Sequence, residues 1–125
     1  MKKSLTSLEW EIMNVVWKLG GSPSVRDVLN FAYPEGKKAY TTVQTIMNIL
    51  MEKGYLKRKK TGLVNFYVPV RKQNETLMKE TENFVNKAFG GSQLALVNHL
   101  LETDALSREE ILDLKKLISG KEKRD

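Results

Sequence analysis

The sequence predicts a mainly α-helical fold with one small β-hairpin, divided into a basic N-terminal domain (residues 1–72) and a helical C-terminal region (73–125). Three observations carry that expectation. Apolar residues recur at helical spacing in six stretches, most of them opened by capping residues or closed by glycine. Two β-prone runs flank Thr61-Gly62-Leu63. The charge is uneven: residues 1–72 hold 13 Lys+Arg against 5 Asp+Glu, a net +8, and residues 73–125 hold 8 against 10, a net −2. A basic part joined to a slightly acidic part suggests two tasks.

The first helix opens with two devices. Thr6 and Glu9 have the spacing of a capping box, and Leu5 and Trp10 that of a hydrophobic staple. Leu8, Ile12, Val15, Val16 and Leu19 then repeat at helical intervals, and Gly20-Gly21 stops the helix. A second helix starts after Ser24, an N-cap, with Asp27 in its first turn. It presents Val25, Val28, Leu29 and Ala32 before Tyr33-Pro34-Glu35-Gly36 breaks the pattern. The third helix runs from Tyr40 to about Lys53, with Gly54 at the C′ position. Val43, Ile46, Met47 and Leu50 cluster on one side of it, and Thr41, Gln44, Thr45, Asn48 and Glu52 on the other. Lys and Glu are the usual occupants of a solvated face. Thr, Gln, Thr and Asn are poorer helix formers but short hydrogen-bonding groups, suited to base edges and phosphate oxygens.

The hairpin follows directly. Lys57, Arg58, Lys59 and Lys60 are four consecutive cations on the strand entering the turn, and such a strand beside a polar-faced helix points to a nucleic-acid surface. Lysines that merely block edge pairing are the competing explanation. Three helices, the third polar-faced, and then a basic hairpin make a helix-turn-helix with an appended wing. In that geometry the second helix of the pair, Tyr40 to Lys53, enters the major groove.

The tail reads as three short amphipathic helices. Leu77, Thr81, Phe84, Val85 and Ala88 form one stripe, interrupted by Gly90-Gly91-Ser92. Leu94, Val97, Leu100 and Leu101 form the second. Leu106 as staple and Ser107 with Glu110 as capping box open the third, which carries Ile111, Leu114, Leu117 and Ile118 and is expected to end at Gly120, leaving Lys121–Asp125 as a frayed end. About fifty residues bury little surface alone, so the stripes predict a partner chain, most simply a second copy related by a twofold axis.

Composition excludes other classes. The 125 residues contain no cysteine and one histidine, with a net charge of +6. Disulfides, thiolate metal sites and a cysteine nucleophile are ruled out. No glycine-rich phosphate loop, metal cluster or triad is present, so no enzyme, cofactor or metal is expected. The apolar runs are too short to span a membrane and Met1-Lys2-Lys3-Ser4 begins no signal peptide, so a cytoplasmic location is expected.

The chain resembles the BlaI/MecI/CopY penicillinase-repressor family of winged-helix transcriptional repressors. The resemblance lies in Leu8-Glu9-Trp10-Glu11-Ile12-Met13 with Val16-Trp17, in Ala39-Tyr40-Thr41-Thr42-Val43-Gln44-Thr45-Ile46, in Leu50-Met51-Glu52-Lys53-Gly54-Tyr55-Leu56 and in Leu106-Ser107-Arg108-Glu109-Glu110-Ile111. It implies a homodimeric repressor on a palindromic double-stranded DNA operator, joined through its C-terminal helices. Carried over by position, Thr41, Thr42 and Thr45 face DNA, Lys38 and Tyr40 flank them at the backbone, and Lys59, Lys60 and Thr61 lay the wing along phosphates; Ser24 is a further phosphate candidate. Many relatives have a basic residue where this chain has Ile49 and Leu63. Copper-responsive members carry Cys-x-Cys pairs, so copper sensing of that type is excluded here. The β-lactam-responsive members are released by a sensor protease that cuts an Asn-Phe bond in the dimerisation region. The matching stretch is Asn98-His99-Leu100, with the asparagine one residue early. His99 is expected to be an ordinary interface or surface residue. The rival reading is a winged helix that binds a protein and no specific DNA.

Overall fold

The computed structural model describes residues 4–124. The expectations for residues 1–3 and for Asp125 lie outside the described residues. Six helices and one hairpin follow in the expected order: α1 (Ser7–Leu19), α2 (Val25–Ala32), α3 (Tyr40–Glu52), β1 (Leu56–Thr61), β2 (Val64–Pro69), α4 (Gln73–Phe89), α5 (Gln93–Glu102) and α6 (Arg108–Arg124). The chain forms two compact units, Met1–Glu80 and Thr81–Asp125. The division falls inside α4, eight residues later than the 72/73 boundary expected from charge. The start of α4 is tied to α1: the Gln73 side chain donates to Asn14 Oδ1 at 3.0 Å, and Trp17 Nε1 donates to the Arg71 carbonyl at 2.9 Å. These bonds link residues some sixty positions apart, so no local pattern announces them.

The first unit is a winged helix built on local caps. Thr6 Oγ1 accepts the Glu9 N–H while Glu9 returns a carboxylate oxygen to the Thr6 N–H. Ser24 and Asp27 close the same reciprocal box at the head of α2. Helix α3 ends in a Schellman motif: the Gly54 N–H donates to Met51 O and the Tyr55 N–H to Leu50 O, with Gly54 at φ 88°. That left-handed conformation is the reason for glycine there. Ile12, Met13 and Val16 of α1, Val25, Val28 and Leu29 of α2, and Val43, Ile46, Met47 and Leu50 of α3 make one core, closed by Leu56 and Tyr67 of the hairpin.

The strands pair antiparallel from Leu56↔Pro69 to Thr61↔Val64, leaving Gly62-Leu63 as a two-residue turn. Gly62 has φ 62° and Leu63 has no positive φ, the pattern of a type II′ hairpin turn. A third piece joins the sheet. Ser24 bridges Phe66, and the Tyr67 N–H donates to the Pro23 carbonyl at 2.9 Å. The residues before α2 thus fasten the wing to the helical core.

An ion pair joins the head of α1 to the end of α3. Lys53 Nζ stands 2.6 Å from Glu9 Oε1 and also donates to the Ser4 carbonyl. Burial pushes the Glu9 carboxyl up, but the Lys53 ammonium and the donors of Thr6 outweigh it, so Glu9 sits below the ordinary carboxylate range.

In the second unit Ser92 caps α5, and Ser107 and Glu110 form the expected box before α6. Phe84 meets Phe89 edge to face at 5.8 Å, and Phe89 meets His99 at 5.6 Å. Two expectations need correction. Helix α6 passes through Gly120 and continues to Arg124. A mid-helix glycine costs only about 1 kcal/mol relative to alanine, and Lys121, Lys123 and Arg124 suit the negative end of the helix dipole. Val85 is 1% exposed within the single chain, so it is not part of an open stripe. The other apolar positions stay half or fully open. Leu77, Phe84, Leu94, Val97, Leu101, Leu117 and Ile118 are exposed, and Leu100, Ile111 and Leu114 are half-buried. The tail helices pack only sparsely on one another.

Candidate nucleic-acid interface

Helix α3 shows two faces. Its apolar side is sunk in the core, while Thr41, Thr42 and Thr45 are exposed and Gln44 is half-buried beside them. Its N-cap is Ala39, which offers no side-chain acceptor. The Thr42 N–H turns back to the Ala39 carbonyl at 3.1 Å, and no side chain caps the positive end of the helix dipole, an arrangement favourable to phosphate oxygens. Lys38 stands just outside, its ammonium 5.7 Å from the centre of the Tyr33 ring. The Tyr33 hydroxyl donates to Glu11. Burial and that carboxylate push its pKa upward, so the platform under Lys38 stays neutral.

The wing is basic along its outer strand: Lys57, Arg58, Lys59, Lys60 and Thr61 are all exposed. Alternation divides the cations between two faces. Arg58 and Lys60 lie opposite Tyr67 and Asn65, on the side that looks toward α3, while Lys57 and Lys59 lie opposite Val68 and Phe66. At the tip Leu63 is 96% exposed, and Ile49 on α3 is half-buried.

Two of the expected residues have other work. Asn48 is half-buried and its Oδ1 accepts the Tyr67 hydroxyl at 2.9 Å, so it joins α3 to β2. Ser24 is buried, and both its hydroxyl and its N–H are engaged in the Asp27 box. It lines the cleft between α2, α3 and the wing. The sequence pattern passed over Arg26, whose guanidinium carbon lies over the Tyr40 ring, 4.8 Å from its centre. Nothing local links positions fourteen apart on different helices, so only the α2–α3 packing reveals that pair. Asn98, His99 and Leu100 lie within α5, with Asn98 Nδ2 donating to Glu102 and the His99 carbonyl accepting from Thr103. Proteases prefer exposed loops, so a cut there needs α5 to open locally. Beside this stretch Leu94, Ala95, Val97 and Leu101 line an open groove of about 480 Å³.

Among the described residues no cluster of three metal-binding side chains occurs, and no helix is long and apolar enough to cross a membrane. The fold and this surface define a winged helix-turn-helix protein of the transcription-regulator class. The profile of the penicillinase repressor family matches residues 5–120, and the chain belongs to that family, which is made up of transcriptional repressors. Among its relatives, the penicillinase repressor of Bacillus licheniformis is 30% identical over 120 residues, 94% of this chain and 93% of that one. The methicillin resistance regulatory protein MecI of Staphylococcus aureus (strain N315) is 27% identical over 117 residues, 94% of each. The solution structure of the DNA-binding domain of the repressor BlaI superposes with a TM-score of 0.52 at 30% identity, covering 60% of this chain and 93% of that domain.

Proposed function

We propose that the protein is a sequence-specific DNA-binding repressor acting as a homodimer on a palindromic operator. The observation that carries this reading is the placement of an uncapped, threonine-rich helix face and a basic wing on one unit. The sparse tail with its open apolar stripes supports the dimer. Residues 1–72 supply the DNA-binding domain and 73–125 the dimerisation region. Two copies of α3 enter successive major grooves about 34–36 Å apart. Lys38, Arg58, Lys59 and Lys60 take phosphates and provide most of the affinity. Thr41, Thr42, Gln44 and Thr45 meet base edges and provide the choice of sequence. Occupied promoter DNA then excludes the polymerase. Release by a sensor protease cutting near Asn98-His99-Leu100 requires α5 to open first.

The test is selection of bound duplexes from fragmented genomic DNA, followed by gel shift at several salt concentrations. Thr45→Ala should lower discrimination between duplexes. Replacing both Lys59 and Lys60 with alanine should weaken every duplex alike, and the salt slope should fall by roughly 0.9 for each phosphate no longer neutralised. Failure to retard any fragment selectively at moderate salt would overturn the proposal in favour of a protein-binding winged helix.

A further inference from the structure

Helix α3 carries no Lys or Arg between Tyr40 and Glu52. The neighbouring helix supplies a cation to its head. Arg26 is the second residue of α2, exposed, with its guanidinium carbon 4.8 Å from the centre of the Tyr40 ring. Among the described residues no carboxylate stands within ion-pair distance of it, and the adjacent Asp27 is occupied in capping Ser24. A guanidinium laid on an aromatic face keeps its edge donors free in a fixed plane, the geometry that grips two oxygens of a phosphate at once.

The surroundings fit a sugar-phosphate strand. Arg26 and Tyr40 line a cleft of about 260 Å³ between α2, α3 and the wing, together with Gln44, Asn65 and Leu63. Gln44 and Asn65 add polar groups, while Leu63 and the Tyr40 ring offer apolar surface to deoxyribose. The first helix of a helix-turn-helix pair crosses the backbone and does not enter the groove. A side chain near the head of α2 therefore meets phosphate before it meets a base.

We infer that Arg26 stacked on Tyr40 is a phosphate clamp. It grips one backbone phosphodiester of the DNA strand crossing this cleft, and Tyr40 is the positioning residue that holds its plane. The inference rests on the DNA-binding reading above and names an interaction which that reading does not contain. The clamp sets the register of α3 in the groove without reading sequence itself.

The test uses the full-length protein and a duplex that the wild type selects from a random-sequence library. Arg26→Ala should weaken binding about tenfold for selected and unselected duplexes alike. Its salt slope should fall by roughly 0.9 for each clamp engaged, with the order of preference among duplexes unchanged. Arg26→Lys should recover the salt slope but not the full affinity. Tyr40→Phe should behave as wild type. Tyr40→Ala should weaken binding in the wild-type background and add little to Arg26→Ala. Circular-dichroism melting of each variant verifies that the fold is retained, as exposure of both side chains leads one to expect. Unchanged affinity and salt slope in Arg26→Ala overturn the clamp while the DNA-binding reading stands. So does a loss of preference confined to one base pair, which would make Arg26 a base reader. A wild type that selects no duplex removes both.

Discussion

The bond between Tyr67 and Asn48 runs directly from the wing to α3, and removing one hydroxyl tests its worth. Tyr67 is 1% exposed, and its ring is part of the core. Tyr67→Phe keeps that ring and deletes only the donor, which lies 2.9 Å from Asn48 Oδ1. Asn48 is half-buried, so water replaces the lost donor only in part. A neutral hydrogen bond of this kind contributes about 1 kcal/mol, and more when the orphaned acceptor stays dry. In a unit the size of Met1–Glu80, 1 kcal/mol corresponds to a fall in Tm of roughly 4–8 °C. Tryptophan fluorescence is the suitable signal. Trp10 and Trp17 lie 6.2 Å apart and pack against the core of the first unit, so they report its unfolding and not that of the tail. Asn48→Ala should cost a similar amount, and the double variant should cost little more than either single one. Additive losses, or a Tyr67→Phe midpoint within about 1 °C of wild type, would show that this bond does not hold wing to helix.

Three further outcomes concern the ion pair, the end of α3 and the tail. Because the folded-state pKa of Glu9 is depressed, its ion pair adds stability above the unfolded carboxyl value, about 4.3, and loses it as the pH falls through the lower folded value. Lys53→Met should weaken that acid dependence, leaving the part due to the Thr6 donors, and cost about 2–3 kcal/mol at neutral pH, less than for a fully buried pair because Lys53 keeps some access to water. Gly54→Ala should lower the stability measured in urea by about 1–2 kcal/mol at unchanged m-value, since φ 88° is unfavourable for a residue with a Cβ. Leu94→Glu and Leu117→Glu, at positions 77% and 70% exposed, should give a monomer in sedimentation velocity while leaving the tryptophan melting curve in place. A dimer that survives both substitutions would mean that other surfaces join the copies.

Local signals were the most legible part of this chain. Thr6, Ser24 and Ser107 each bond a residue three positions on, and Gly54 closes the turn that precedes it. Those partners are set by helix geometry, so spacing alone reveals them. The same holds for the exposed threonines of α3, whose side follows from the 3.6-residue period once the apolar side is known. Gly120 shows where a local rule fails: glycine permits a helix end without imposing one, and the cations that follow carry α6 onward.

Residue pattern was enough to establish the six helices, the hairpin, the polar face of α3 and the basic strand beside it. What stands opposite each face came from packing in three dimensions. Packing set Tyr67 under Asn48, Arg26 over Tyr40, Pro23 and Ser24 against β2, and Gln73 on Asn14. It also buried Val85 while leaving the rest of the tail stripe open. Periodicity orients a side chain only about its own helix axis. The partner it meets depends on how distant segments pack, and that information is spread over the whole core.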